Sequence, residues 1–554
     1  MDGLHVPDDK RAQEELLVVT FNDIVGVDLM PLLSKSVSST LPAGDSYFDT
    51  VRPMPLVDRM IAEGFTGRKG KGGFYAFDKA TKTKKALDLA TGEYRVSVKP
   101  ASLPGRAEKD LAALVAAPGK VGAYAWEILG KVLSYAASLV GEAADNIVGI
   151  DDAMKLGYNW KFGPFELIDR LGPGKLAERL AAEGRDVPAI LKVAGDRPFY
   201  RVQDGRRQYL DAAGDYHDVV RPEGVLLLED IKLHSQPILK NGSAALWDVG
   251  DGVACLEFTG KMNALDGDVM KLIGQAIPVV QDKFKALVVY NEGSNFSAGA
   301  NLGLALFALN IAAWGEIEKL VAGGQQAYKA LKYALFPVVS APAGMALGGG
   351  CEILLNSDAV QAHAESYVGL VECGVGLIPG WGGCGEMIDR WRSSPGMPKG
   401  PMPAVAKVFE TVSTATVAKS AAEAKEHGFL RPSDGITMNR DRLLADAKAK
   451  ALELADGYKP PVAPEFRLPG AGGKSALSMA VEGFQARGLA TSYDGVVSGA
   501  LADVLTGGEK DLIDIVTEED LLALERKAFM QLVRDPRTQA RVEQMLVTGK
   551  PLRN

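Results

Sequence analysis

The segment Gly344-Met-Ala-Leu-Gly-Gly-Gly-Cys-Glu352 constrains this chain more than any other. Three consecutive glycines after the apolar run Val338–Ala341 remove side chains where something must approach the backbone closely. If a helix begins there, over roughly Cys351–Asn356, its first N–H groups lack intrahelical partners and form an anion or oxyanion site. A tight strand-to-helix turn would use the same glycines, and a glycine-rich turn alone does not choose between the two.

The surroundings read as an α/β unit. Val253–Phe258 and Ala286–Tyr290 are strand-like runs bounded by turn residues, and Val338–Ala341 is a third. Helical stretches over 268–284 and 316–335 alternate with them. After about residue 415 the chain is mostly helical, over 418–427, 440–456 and 518–532, and the Pro/Gly-rich stretch 460–474 reads as a loop. The run Gly470-Ala-Gly-Gly-Lys-Ser475 imitates a phosphate loop but lacks the preceding strand and the spacing.

Two further segments could join the glycine turn. Asn295-Phe-Ser-Ala-Gly-Ala-Asn301 follows the strand Ala286–Tyr290 and offers more backbone N–H groups. Two such loops could supply two donors to one carbonyl oxygen, the arrangement that stabilises an enolate or tetrahedral oxyanion. Glu372 lies twenty residues beyond Glu352. Two carboxyls facing one site can hold a water and move protons. Asp358, Glu365 and Glu386 lie nearby, and spacing alone does not select among these acids.

Composition narrows the class. Charged residues make up 24% and hydrophobic residues 47% of 554, as in ordinary globular chains. Sixty-two basic against 70 acidic residues show no excess that would suit nucleic acid. Four cysteines are too few and too irregular for a disulfide framework or a metal site, and read as reduced thiols of a cytoplasmic protein. The uncharged stretches 293–315 and 333–351 contain Asn, Pro and Gly and read as buried elements, so no membrane span is expected.

The first 220 residues contain a repeat. Phe21-Asn-Asp-Ile-Val-Gly resembles Phe165-Glu-Leu-Ile-Asp-Arg-Leu-Gly, and Phe74-Tyr75…Leu87-Asp-Leu-Ala-Thr-Gly-Glu-Tyr94 resembles Phe199-Tyr200…Leu210-Asp-Ala-Ala-Gly-Asp-Tyr216. A helical lead-in over 121–140 precedes the second copy, whereas only twenty residues precede Phe21. Residues 222–245 read as a connector with short extended pieces.

The run Gly344–Gly383 resembles the crotonase (enoyl-CoA hydratase/isomerase) superfamily. Ala346-Leu-Gly-Gly-Gly-Cys-Glu352, Glu372 and Ile378-Pro-Gly-Trp-Gly-Gly383 stand where that family has its glycine turn, second glutamate and IPG-x-GG loop. Lys261-Met-Asn-Ala-Leu265 is similar to the family's N-A-L element and Phe296-Ser-Ala-Gly-Ala300 to its FxAGAD loop. Glu525-Arg526…Phe529 and the ending Thr548-Gly-Lys-Pro-Leu-Arg-Asn resemble the last helices of fused fatty-acid-oxidation enzymes. The resemblance implies an oxyanion hole from the N–H groups of Ala298 and Gly349. It makes Glu352 the base on a water and Glu372 the acid that protonates the α-carbon. It places coenzyme A along Ala298, Gly299, Ala300 and Asn301, with Lys261 as a candidate for a phosphate. The chain departs from the family at Asn301 (usually Asp), Val371 (usually Pro), Trp381 and Cys384; Trp381 could reshape the acyl pocket and 302–314 could wall it.

The first 220 residues resemble the C-terminal helical domain of 3-hydroxyacyl-CoA dehydrogenase, in duplicate. Thr66-Gly-Arg-Lys-Gly-Lys-Gly-Gly-Phe-Tyr75 and Gly163-Pro-Phe-Glu-Leu167 carry this likeness. The implied architecture is multidomain: all-α dehydrogenase-like domains over 1–100 (partial) and 101–222, a linker over 223–245, and an α/β crotonase spiral with C-terminal helices over 246–554. The NAD-binding domain with its His–Glu pair would precede these; no Gly-x-Gly-x-x-Gly opens a βαβ unit at the start, and none of the five histidines sits in a matching context. The chain thus reads as the back portion of a longer β-oxidation enzyme.

The leading expectation is an enoyl-CoA hydratase with an isomerase side activity, acting on acyl-CoA thioesters without a bound cofactor. NAD would enter only with the missing domain. The alternatives are a 3-hydroxyacyl-CoA dehydrogenase, or a non-catalytic acyl-CoA-binding module that docks a partner such as a thiolase. The resemblance also implies a homo-oligomer.

Overall fold

In the computed structural model, which describes residues 22–98 and 110–554, the chain divides into two units between Val219 and Val220. In the N-terminal unit the helix Lys120–Ser138 buries Gly122, Trp126, Gly130, Leu133 and Ala137. These recur every three or four residues, as the stripe of an amphipathic helix must. The stripe shares a core with Phe165, Ile168 and Leu171 of the helix Pro164–Leu171, where Phe165 meets Phe199 edge-on at 4.9 Å. Buried Asp151 accepts from the Phe165 N–H at 2.8 Å and tethers that helix start.

Both copies close in a three-stranded antiparallel meander: β1 (Tyr75–Asp78), β2 (Thr83–Leu87) and β3 (Tyr94–Val96), then β4 (Tyr200–Gln203), β5 (Arg206–Leu210) and β6 (Tyr216–Asp218). The unit is therefore not wholly helical. Its strands are three to five residues long and mostly outside the core, so no apolar run marks them in the sequence. One tie is repeated in both copies. Asp23 accepts from the N–H groups of Phe74 (2.7 Å) and Tyr75 (2.8 Å), and Asp169 from those of Phe199 (2.6 Å) and Tyr200 (2.8 Å). This pairs Asp23 with Asp169, two residues off the register that matched Phe21 with Phe165. Phe21, and the expected boundary near residue 100, lie outside the described residues.

In the C-terminal unit the expected linker is already structured. The helix Leu228–Lys232 buries Leu228 and Ile231, and β7 (Leu239–Lys240) and β8 (Ala244–Asp248) form a hairpin at the sheet edge. The sheet continues through β9 (Val253–Phe258), β10 (Ala286–Tyr290) and β11 (Val338–Ala341). A smaller parallel pair is made by β12 (Met345–Leu347) and β14 (Tyr367–Gly369), while β13 (Ala359–His363) and β15 (Gly435–Thr437) complete the large sheet. Its order is β15-β13-β11-β10-β9-β8-β7, parallel from β9 to β15. Every residue of β9 and β10 is buried, which explains why β10 reads as a continuous apolar run and β9 as one broken only by Glu257, which accepts from Trp247 and Lys232. Leu256, Leu287 and Val338 share a core with the helices Gly267–Lys283 and Trp314–Lys332. Cys255, Val288 and Val339 share another with Leu228–Lys232 and Leu443–Ala455.

The loop expected over 460–474 gives way to the helix Gly470–Ala486. A Cβ on Gly473 would come within 2.5 Å of Pro469 at the start of the same helix, and Gly470, with φ +59°, would place one 2.9 Å from the Lys510 carbonyl, so these two glycines answer local crowding at the helix start. The apolar stretch from Leu302 forms the helix Leu302–Asn310, in which only Leu309 is buried while Leu304 and Phe307 face solvent. Among the described residues no helix is long and apolar enough to cross a membrane.

Candidate active site

The spacing of Glu352 and Glu372 has a topological cause. β12 and β14 pair in register, Met345 opposite Tyr367 and Leu347 opposite Gly369, so the residues that follow the two strands emerge side by side. The Gly348 N–H donates to the Gly369 carbonyl at 2.9 Å. Beyond β12 the chain enters the fully buried helix Gly349–Leu355, with Glu352 in its first turn. Beyond β14 it enters the 3-10 turn Glu372–Val375. Twenty residues is the length of the excursion through that helix and β13 and back.

Both carboxyls are withdrawn from water. Glu352 Oε1 accepts from the N–H groups of Trp381 (2.8 Å) and Gly383 (3.0 Å). Burial lifts its carboxyl to about 7 against the pull of these donors. Glu372 Oε1 lies 3.1 Å from the place a Cβ on Gly348 would take, and its Oε2 is buried without a hydrogen-bond partner. Burial, followed by the nearby Glu352 charge, holds Glu372 well above the usual carboxyl range.

The second loop is braced on both sides. The Ser297 N–H donates to Met345 (2.8 Å) and the Leu347 N–H to Ser297 (3.0 Å), while Leu265 donates to Gly299 (2.9 Å) and Asn301 to Leu265 (3.0 Å). Gly299 has φ +89°, and a Cβ there would stand 2.8 Å from the Leu347 carbonyl, so only glycine fits. The same Cβ would be 3.5 Å from the Gly349 nitrogen, which puts the Ala298–Gly299 segment against the glycine turn. The Ala298 N–H, however, donates to the Met262 carbonyl at 3.2 Å. Met262 and Asn263 hold left-handed φ values of 58° and 50°. An acyl oxygen at Ala298 would have to displace that carbonyl.

Asn301 caps the helix Leu302–Asn310, its side chain accepting from the Leu304 N–H at 3.1 Å; Asn does this as well as the usual Asp. Ala300 bridges Leu265. Lys261 is exposed in the turn Lys261–Asn263. Trp381 lies under the site. A Cβ on Gly349 would come within 2.3 Å of its ring and one on Gly324 within 2.2 Å, and Tyr328 meets it edge-on at 5.4 Å. The Tyr328 hydroxyl donates to the Gly349 carbonyl at 2.9 Å.

Glu525 was marked in the sequence only as part of a last helix, with no role in the site. It is fully buried, and its oxygens accept from the N–H groups of Gly382 (2.8 Å) and Cys384 (2.9 Å). Burial, then Glu352, lifts its carboxyl to about 8. The available signal was an acid on the apolar stripe Leu521, Leu522, Glu525, Ala528, Leu532 of the helix Glu518–Leu532. Among the described residues no cluster of three or more His, Cys, Asp or Glu side chains could hold a metal ion.

The arrangement sets two carboxyls that can exchange protons beside a glycine turn whose N–H groups can receive an oxyanion. The family model of enoyl-CoA hydratase/isomerase matches residues 248–391. The "Probable 3-hydroxyacyl-CoA dehydrogenase" of Bacillus subtilis (strain 168) is 37% identical over 544 residues, covering 96% of this chain and 68% of that protein. The "Putative fatty acid oxidation complex trifunctional enzyme" of Rickettsia felis is 32% identical over 525 residues, 93% of this chain and 65% of that protein. The "Crotonyl-CoA hydratase" of Syntrophomonas wolfei is 34% identical over 125 residues, 22% of this chain and 46% of that protein.

Proposed function

Residues 248–391 belong to the enoyl-CoA hydratase/isomerase family and the chain as a whole to the family of the Bacillus subtilis relative, and on that premise we propose that it adds water to a 2-trans-enoyl-CoA to give the 3-hydroxyacyl-CoA. The observation that carries the reading is the pair of buried carboxyls, Glu352 and Glu372, at the ends of two paired strands beside the glycine turn. The thioester oxygen would take the N–H groups of Gly349 and Ala298, the latter released from Met262. Glu352 would remove a proton from water as the oxygen bonds to C3, and Glu372 would deliver a proton to C2, so that H and OH are both accounted for. Acyl-CoA thioesters are then the substrates, and hydration itself consumes no redox cofactor.

The test is loss of the enoyl-thioester absorbance with crotonyl-CoA. Glu352→Gln should lower turnover by about a thousandfold, the usual span of one acid–base group. A variant as active as the parent sinks the role of Glu352.

A second reading follows from the Bacillus relative, which is named a dehydrogenase. This chain would then also oxidise the 3-hydroxyacyl-CoA. NADH formation from 3-hydroxybutyryl-CoA by this chain is the measurement that supports it; its absence under conditions where hydration proceeds counts against it.

A further inference from the structure

Four successive N–H groups, of Trp381, Gly382, Gly383 and Cys384, lead into the helix Gly383–Ser393. The first N–H groups of a helix have no partner within it, and here two buried carboxyls share the four. Glu352 takes Trp381 and Gly383; Glu525 takes Gly382 and Cys384. The donors of the two acids therefore alternate along one turn. Gln325 ties the same parts together. Its Nε2 donates to the carbonyls of Gly380 and Leu522, both at 2.9 Å, and its Oε1 accepts from Arg526 at 3.3 Å.

We propose that Glu525 is a positioning residue for Glu352: by holding Gly382 and Cys384 it fixes the turn whose intervening N–H groups hold Glu352 Oε1, leaving the other oxygen directed at the reacting water. The inference rests on the hydratase reading of the site. Capping alone explains Glu525 poorly. A buried acid beside a second buried acid is a costly cap, when an uncharged Ser or Asn would serve a helix start.

The titratable groups facing Glu525 are Glu352, Glu372 and the Cys384 thiol. Those facing Glu352 include Glu372, Tyr328, Cys351 and Cys384. Charged groups on the helices packed against Glu518–Leu532 have partners elsewhere: Lys332 with Glu386 and Glu518, Lys329 with Glu519, Asp389 with Arg392, Asp494 with Arg541, and Asp503 with Lys474. Arg390 donates to the carbonyls of Phe429, Leu354 and Leu355.

The experiment uses the full chain with Glu525→Gln, whose amide can accept one N–H and opposes the other with its own NH2. Amide hydrogen exchange should speed at least tenfold at Trp381 and Gly383 as well as at Gly382 and Cys384. Protection retained at Trp381 and Gly383 overturns the proposal. With crotonyl-CoA, kcat should fall at least tenfold with KM within twofold. The acid limb of kcat/KM should move to higher pH, because Glu352 has lost donors that favour its ionised form. A shift to lower pH, as for simple removal of a neighbouring charge, or no shift, as for a purely structural cap, overturns it. Should E525Q fail to fold, the same readings are made on Glu525→Asp, whose carboxyl is a methylene short of the turn. Exchange needs no substrate, so an inactive parent with coupled amides would sink the hydratase reading and leave the brace standing.

Discussion

Glu352 and Glu372 are the same residue type in two environments. Glu352 accepts two backbone N–H groups and is lifted to about 7. Glu372 has one oxygen with no donor, lies beside Glu352, and is held well higher. The two acids therefore titrate as a pair, and on the proposed reading Glu352, which has the donors, would serve as base and Glu372 as acid. The hydration rate should rise from pH 5 to a plateau above about 7 as Glu352 ionises, then fall at higher pH as Glu372 loses its proton. A rate flat from pH 5 to 8 would remove Glu352 from the base role. Both acids were singled out in the sequence by the family resemblance around the glycine turn, since spacing alone did not select them from Asp358, Glu365 and Glu386. The Ala298 N–H was also singled out, but not its hold on the Met262 carbonyl, which depends on two left-handed residues that no motif marks.

At the scale of elements, the repeated aspartate ties make a separate prediction. Asp23 and Asp169 each accept two backbone N–H groups at the head of a meander. Asn in either place keeps one acceptor and turns an NH2 towards the other donor. Asp23→Asn and Asp169→Asn should each cost the N-terminal unit about 1–3 kcal/mol, the usual cost of an unsatisfied buried group. Urea unfolding followed by a probe in that unit measures it, and an unchanged midpoint would make the tie incidental. The strands β9, β10 and β11 and the helix Glu518–Leu532 were legible because continuous apolar runs and a 3.6-residue stripe are local patterns. The meanders and the helices Leu228–Lys232 and Gly470–Ala486 were not. The first are too short and exposed, the second is one turn long, and the third opens on glycines that local propensity assigns to a loop.

Across the whole molecule, carboxyls raised by burial occur in both units. Asp151 reaches about 7 and Asp169 about 6; Glu292 and Glu352 reach about 7 and Glu525 about 8. A carboxyl raised on folding binds its proton more tightly in the folded state. Its contribution to stability is full below about pH 4 and is lost as pH rises through the folded value. Acids lowered on folding, such as Glu166 and Asp494, titrate below that window, and His363, lowered by burial, opposes the trend with a single group. Thermal stability should therefore decline between pH 5.5 and 8.5, and calorimetry showing a flat or rising profile would contradict it. By itself the sequence determined the buried parallel strands, the glycine turn, the two glutamates and the family, because each is written in a local period or a short motif. Only the tertiary structure decided that Glu525 joins Glu352 on one turn, that Asn301 caps a helix, and that the paired copies align on Asp23 and Asp169. Those are single contacts whose partners the fold brings together, and no periodicity along the chain encodes them.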